Sequence, residues 1–300
     1  MGFRKNLKRL TERIFNKDGR PQIGHIHHAD AQTIKDMYEN SAPVFFLSTG
    51  RCGTKFLSEL FLNHPAVIAH HEAHPNLQFF CNYSYHHQDK PEILRQMVDA
   101  ARMELVLAAK IQNKTYLEAN QCMVYYAPVI SQLYKKAKFI HLVRHPGDFA
   151  RSAIMKGWYV NDSIWEIGRI KPADQNFWQS LTHIEKIGWL WHETNQFIEA
   201  FGEGLNDSDR FLRVSFEEIV KTSAAIHQLT DFMGLERFAP RFLERFRGKK
   251  INRLEIARNE PPNMVKLDDF PAFNKWDDEM KNQLLRFTQT LAEKYGYCIK

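Results

Sequence analysis

Val44-Phe45-Phe46-Leu47-Ser48-Thr49-Gly50-Arg51-Cys52-Gly53-Thr54-Lys55-Phe56-Leu57 carries a compact apolar run straight into a glycine-bearing loop. The run Val44–Thr49 has the length and composition of a buried strand. Beyond the loop, Phe56, Leu57, Leu60 and Phe61 share one face at helical spacing, so a helix opens there. Gly50 and Gly53 let the backbone turn tightly and aim several N–H groups inward. The helix N-terminus adds partial positive charge, and Arg51, Thr54 and Lys55 add side-chain donors. Ser48, Thr49, Gly50, Arg51, Cys52, Gly53, Thr54 and Lys55 thus form a candidate cradle for phosphate or sulfate. The competing reading is a tight strand-to-helix turn whose charges stay at the surface.

Working outward, short β-rich runs alternate with longer helical patterns. Ala66–Ala69, Tyr116–Glu118, Lys138–Val143 and Arg210–Phe216 read as further strands. A helix is expected around Ile219–Met233, ending at Gly234. A last one runs through Met280, Leu284, Phe287, Leu291 and Tyr295 to a stop at Gly296. Strands interleaved with helices predict an α/β fold, a P-loop-like parallel β-sheet flanked by helices on both faces. Ligands of such sheets bind outside the carboxyl ends of the strands. An ordinary nucleotide triphosphatase loop reads G-x-x-x-x-G-K-[ST]. Here Gly53 is followed by Thr54 and then Lys55, and the glycine spacing is shorter.

Phe139-Ile140-His141-Leu142-Val143 runs into Arg144-His145-Pro146, and Ser152 lies eight residues beyond Arg144. Arg144 leaves the carboxyl end of a buried strand. Pro146 suits the first turn of a helix that carries Ser152 two turns on. A guanidinium fork and a short hydroxyl suit a phosphate. Alone, a strand-end Arg such as Arg144 is more often a local salt bridge, here to Asp148. Combined with the first loop, it points to a ligand with two separated phosphate-like groups.

The composition of the 300 residues, 44% hydrophobic and 25% charged, is that of a folded chain rather than a disordered or low-complexity one. Of the net charge of +6, residues 1–20 hold +5, from seven basic and two acidic side chains. The near-neutral remainder argues against nucleic acid as a partner. Phe3, Leu7, Leu10 and Ile14 make residues 1–20 a candidate basic amphipathic arm. It is open to peripheral membrane contact or to simple packing on the body. Residues 41–300 are expected to form a single domain. No run approaches the roughly 18 apolar residues of a membrane-spanning helix, and no secretory signal is evident. Cys52, Cys81, Cys122 and Cys298 form no CxxC pair. A cytoplasmic location is therefore expected.

These motifs resemble those of the PAPS-dependent sulfotransferases, PAPS being 3′-phosphoadenosine-5′-phosphosulfate. That family binds the 5′-phosphosulfate with Lys or Arg followed by Ser-Gly-Thr-Thr. Arg51-Cys52-Gly53-Thr54-Lys55 is similar, with Cys for Ser and Lys for the second Thr. Its second motif, Arg-Asp-Pro with a Ser eight residues after the Arg, binds the 3′-phosphate. Arg144-His145-Pro146 and Ser152 are similar, with His for Asp. Arg213-Val214-Ser215-Phe216-Glu217-Glu218-Ile219 follows the usual strand ending, without the customary tyrosine hydroxyl at Phe216. Asp231–Leu235, Lys275-Trp276 and Lys294–Tyr297 extend the resemblance over residues 43–297. It implies PAPS as sulfuryl donor, no metal, and an aromatic contact of Phe56 with the adenine.

The resemblance also assigns a base. Glu72, in His70-His71-Glu72-Ala73-His74, stands 21 residues after Arg51, as a Glu does in tyrosyl-protein and several carbohydrate sulfotransferases. Sulfuryl transfer needs the acceptor freed of its proton, in-line placement, and positive charge from groups such as Arg51 and Lys55. His71 is the alternative base. A metal site is disfavoured because the cluster is not HExxH and has no nearby Cys. Trp158, Trp165, Trp178, Trp189 and Trp191 are open to two readings, acceptor pocket or core. The acceptor is expected to be a carbohydrate, lipid or small-molecule alcohol or amine. Two other functions stay open: a kinase-like phosphotransferase, and a non-enzymatic nucleotide-binding adaptor at a membrane surface.

Overall fold

The computed structural model describes residues 29–160, 166–247 and 270–298. The basic arm and Trp165 lie outside the described residues. Five strands, β1 (Val44–Leu47), β2 (Val67–His71), β3 (Thr115–Ala119), β4 (Lys138–Val143) and β5 (Phe211–Ser215), form one sheet in the order β2-β3-β1-β4-β5. Every pairing is parallel.

Alternation along the strands builds two cores. Val44 and Phe46 of β1 face one side with Leu117, Ile140, Leu142 and Val214. Phe45 faces the other with Tyr116 and Phe139. The first layer is covered by Thr54–Phe61 and the helices near Ile219–Met233, the second by Pro91–Ile111, Pro146–Ile154 and His183–Leu205. Helices thus flank both faces, as the sequence implied. The helix after β1 covers one face and the helix after β4 the other, so the two loops part between neighbouring strands. That is the crevice in which ligands of open α/β sheets bind.

Three expectations change. β2 runs on to His71, because His70 and His71 pair with Glu118 and Ala119 of β3. The stretch 216–233 is two helices, Phe216–Lys221 and Ser223–Met233. Thr222 separates them, holding an extended backbone and accepting from the Ala225 N–H as the second helix's N-cap. The body also starts before residue 41. Helix Ala31–Asn40 buries Met37 in the core, and Tyr38 Oη donates to Asp99 at 2.7 Å.

Candidate active site

Because all strands are parallel, the segments after Leu47, His71, Ala119, Val143 and Ser215 emerge along one sheet edge. That edge gathers both anion motifs and the His/Glu cluster. In the first loop Gly50 and Gly53 adopt φ of +77° and +86°, and Arg51 adopts +54°. A Cβ on Gly53 would stand 2.1 Å from Cε2 of Phe216, so this position admits only glycine without rearrangement. Ser48 Oγ accepts from the Gly50 N–H at 3.1 Å, and Thr49 Oγ1 lies 3.1 Å from Cys52 Sγ. Burial pushes the Cys52 thiol up to about 11, so it enters the cradle uncharged.

The two anion motifs meet directly. Arg51 Nε donates to Ser152 Oγ at 2.9 Å, and Arg144 Nη1 donates to the Arg51 carbonyl at 2.6 Å. Arg144 Cζ lies 5.3 Å from the centroid of the Phe216 ring, and its own carbonyl accepts from Trp191 Nε1. Its Nε is buried with no hydrogen-bond partner among the described residues. The Asp148 salt bridge is not among its contacts there. His145 stands where the family carries Asp, and it does the capping work of a carboxylate. Its Nδ1 accepts from the Gly147 N–H at 3.1 Å, and its own N–H donates to Glu217. Desolvation lowers the His145 pKa, which favours the unprotonated Nδ1 that this cap requires.

On the other side of the loop, Thr54 Oγ1 lies 3.3 Å from His71 Nε2. His71 keeps a solvent-facing surface, yet its ring is desolvated enough to lose basicity. Glu72 opposes that shift, and the positive charges of Lys55 and Arg51 add to it. The four side chains therefore share one electrostatic neighbourhood. Glu72 is exposed, at a φ of +53°, and its N–H donates to the Ala119 carbonyl. Left-handed backbone at a non-glycine residue is uncommon and clusters at functional sites. His70 stacks obliquely on Tyr116 and is desolvated, and His74 is exposed. Among the described residues no three His, Cys, Asp or Glu gather as a metal site.

Phe56 differs from expectation. It belongs to the buried face of its helix and meets Phe246 edge-on at 5.3 Å, so its ring offers little surface to a ligand. Trp158, Trp178, Trp189 and Trp191 are all core residues. A small solvent-open cleft lies beside the loop instead, between Ser48 and Thr49, Gln121 and Cys122, and Leu190 and Thr194.

Sequence reasoning missed the residues that hold the Glu72 segment. Arg102, fully buried, donates twice to Glu118 at 2.6 and 2.8 Å. Its remaining N–H groups reach the carbonyls of Pro75, Ala101 and Ala73. Asn120 Nδ2 donates to Glu118 and to the Asn76 carbonyl. The available signal was a charge inside an apolar pattern: Arg102 on the stripe between Val98 and Val106, and Glu118 inside a buried strand.

The sequence model of the Sulfotransferase family matches residues 43–240. The solved sulfotransferase domain from the curacin biosynthetic pathway superposes with a TM-score of 0.53 at 15% identity, over 87% of this chain and 100% of that one. The sulfotransferase domain from the Synechococcus PCC 7002 olefin synthase gives 0.50 at 17% identity, over 87% and 98%. Both show the shared fold. No curated protein sequence matches the chain. The family match spans well over half of the sequence and contains both anion loops, β1 to β5 and the Glu72 segment. On that match the chain belongs to the sulfotransferase family.

Proposed function

We propose that this sulfotransferase uses PAPS as donor, sulfates a hydroxyl or amine of a carbohydrate, lipid or small-molecule alcohol, and employs Glu72 as general base. The carrying observation is the junction of the two anion loops in the crevice between β1 and β4, through Arg51, Ser152 and Arg144. The residues suit the donor. Arg144 holds a buried N–H there with no partner among the described residues, a donor suited to an anionic oxygen. In this reading Arg144 and Ser152 hold the 3′-phosphate, and Gly50, Arg51, Gly53, Thr54 and Lys55 hold the phosphosulfate. When bound, PAPS supplies the sulfuryl group and is left as 3′-phosphoadenosine-5′-phosphate (PAP). Arg51 and Lys55 supply positive charge where charge develops. Glu72 takes the proton of the acceptor hydroxyl. Thr54 Oγ1, 3.3 Å from His71 Nε2, engages one ring nitrogen of the rival base, which favours Glu72. The basic arm is open to peripheral contact with an anionic membrane surface or to packing on the body, as its sequence allows.

The test is a labelled-sulfate transfer assay paired with calorimetry. Glu72→Gln keeps the shape and removes the proton acceptor, so kcat falls about 10²–10⁴-fold while PAP affinity survives. His71→Ala is the matched control. Near-normal kcat for Glu72→Gln with loss in His71→Ala moves the base to His71. Tighter binding of ATP than of PAP overturns the donor assignment.

A further inference from the structure

Seven large apolar residues are more than a third exposed among the described residues, and four of them fall on two short segments. Phe79 and Phe80 are 48% and 50% exposed on one, Val160 and Ile167 49% and 65% on the other. The segments abut. A Cβ on Gly168 would stand 1.6 Å from the Gln78 carbonyl oxygen and 3.1 Å from the Phe79 Cα. The Tyr159 N–H donates to Glu166 at 3.0 Å, which ties Val160 to the same place. Gln78, Cys81, Gly168, Arg169 and Ile170, from these segments or next to them, also line the cleft that begins at Ser48 and Thr49. The exposed rim and the cleft therefore share walls.

Among the described residues the cleft offers no free charge. Arg169 is the one charged residue among them in its lining, and its guanidinium is held bidentate by Glu166 at 2.9 Å, 3.7 Å from the Trp158 ring centroid. An anionic acceptor gains little from a cation already neutralised, and it still bears its desolvation cost. The described tryptophans are also core residues, so none presents an open face as a platform for a sugar ring. What remains is a neutral inner cleft beside the first anion loop, opening onto an apolar rim.

We propose that the acceptor is an uncharged amphipathic alcohol, its hydroxyl in the cleft beside Thr49 and its aliphatic portion across Phe79, Phe80 and Ile167. This rests on the sulfotransferase reading above and narrows its acceptor class. Burying each methylene on the rim adds a few-fold to selectivity, about fourfold at full burial. The experiment measures kcat/KM for n-alkanols from butanol to octanol, below their aggregation limits, with 8-hydroxyoctanoate as the anionic match to octanol. The expected result is a rise of two- to fourfold per methylene, with octanol well ahead of 8-hydroxyoctanoate. In Phe79→Ser, Phe80→Ser and Ile167→Ser, singly and together, the rise flattens while PAP affinity, read by calorimetry, holds. Static light scattering accompanies each variant. A flat dependence in the unaltered protein, or a rise that survives the triple substitution, overturns the proposal. So does a triple variant that turns a dimer into a monomer with its chain-length dependence intact, since the rim then serves a second copy. Loss of PAP binding in the unaltered protein condemns the donor reading instead. PAP binding without sulfation of any alcohol condemns this acceptor class alone.

Discussion

Replacing Arg102 by Met tests whether the buried pair beneath the Glu72 segment organises the site. Arg102 places its N–H groups on Glu118 and on the carbonyls of Ala73, Ala101 and Pro75, so it joins helix Pro91–Ile111, β3 and the segment after β2. Arg102→Met fills most of the volume but leaves the Glu118 carboxylate buried, with only Tyr116 Oη and Asn120 Nδ2 as donors. Removing one partner of a buried ion pair costs about 3–5 kcal/mol. Unfolding entropy of about 2.1 cal/mol/K per residue converts this, for a 300-residue chain, to a Tm lower by about 5–8 °C.

The assay is urea unfolding of Arg102→Met, Glu118→Gln and the double variant, with kcat and PAP affinity measured beside it. The double variant, carrying no buried charge, is expected to be more stable than Arg102→Met. Because Ala73 and Pro75 flank the Glu72 segment, kcat falls in every variant lacking Arg102 while PAP binding persists. Additive single effects, or an Arg102→Met loss below about 1 kcal/mol, would refute the coupling that the geometry implies.

Arg144→Ala should weaken PAP by about 10- to 150-fold, the worth of a charge-assisted hydrogen bond. Adenosine 5′-phosphosulfate, which lacks the 3′-phosphate, should be affected far less, and equal losses in calorimetry would mark Arg144 as structural. Gly53→Ala meets both a φ of +86° and the Phe216 ring, so tenfold or greater loss of PAP affinity is expected in the same assay. Burial alone would raise the Glu199 pKa, but the His141 ring 3.6 Å away and the ion pairs with Lys294 and Arg213 outweigh it and hold the carboxyl far below its usual range. A depressed folded pKa contributes stability above the unfolded value of about 4.3 and loses it as pH falls. Thermal melts between pH 7 and 3 should thus show Glu199→Gln losing less on acidification than the unaltered protein.

What the sequence disclosed followed from periodicity and from glycine. Val44–Leu47 is a continuous apolar run, Lys138–Val143 is apolar at four of its six positions, and Gly50 and Gly53 take the left-handed backbone expected of the candidate cradle. The extension of β2 was hidden because His70 and His71 read as polar loop, whereas their backbone pairing with Glu118 and Ala119 carries them along the sheet. Thr222 was hidden for the opposite reason. An apolar helical pattern runs through it, and one extended N-cap residue suffices to divide the helix. Phe56 carried two competing signals, an aromatic beside an anion loop and an apolar residue on a helix face. Packing against Phe246 decided for the second.

The departures from the family pattern acquire physical meaning only in three dimensions. His145 replaces a carboxylate yet still accepts from the Gly147 N–H, and desolvation lowers its pKa in the direction this cap requires. Its flanks are closed by the rings of Phe273 and Tyr297, 5.3 and 5.4 Å away. Phe216 lacks a hydroxyl, but its ring fills the space above Gly53 and lies under Arg144. Tyr297, from the far end of the chain, donates to the same Glu217 that accepts from the His145 N–H. One carboxylate thus ties the second anion loop to the carboxyl-terminal segment. Sequence spacing gives no sign of that tie, because 80 residues separate Glu217 from Tyr297. The substitutions at 145 and 216 are therefore accommodated as a set. Restoring a single family residue, such as Asp at 145, would place a second carboxylate within reach of Glu217 and work against the arrangement it imitates.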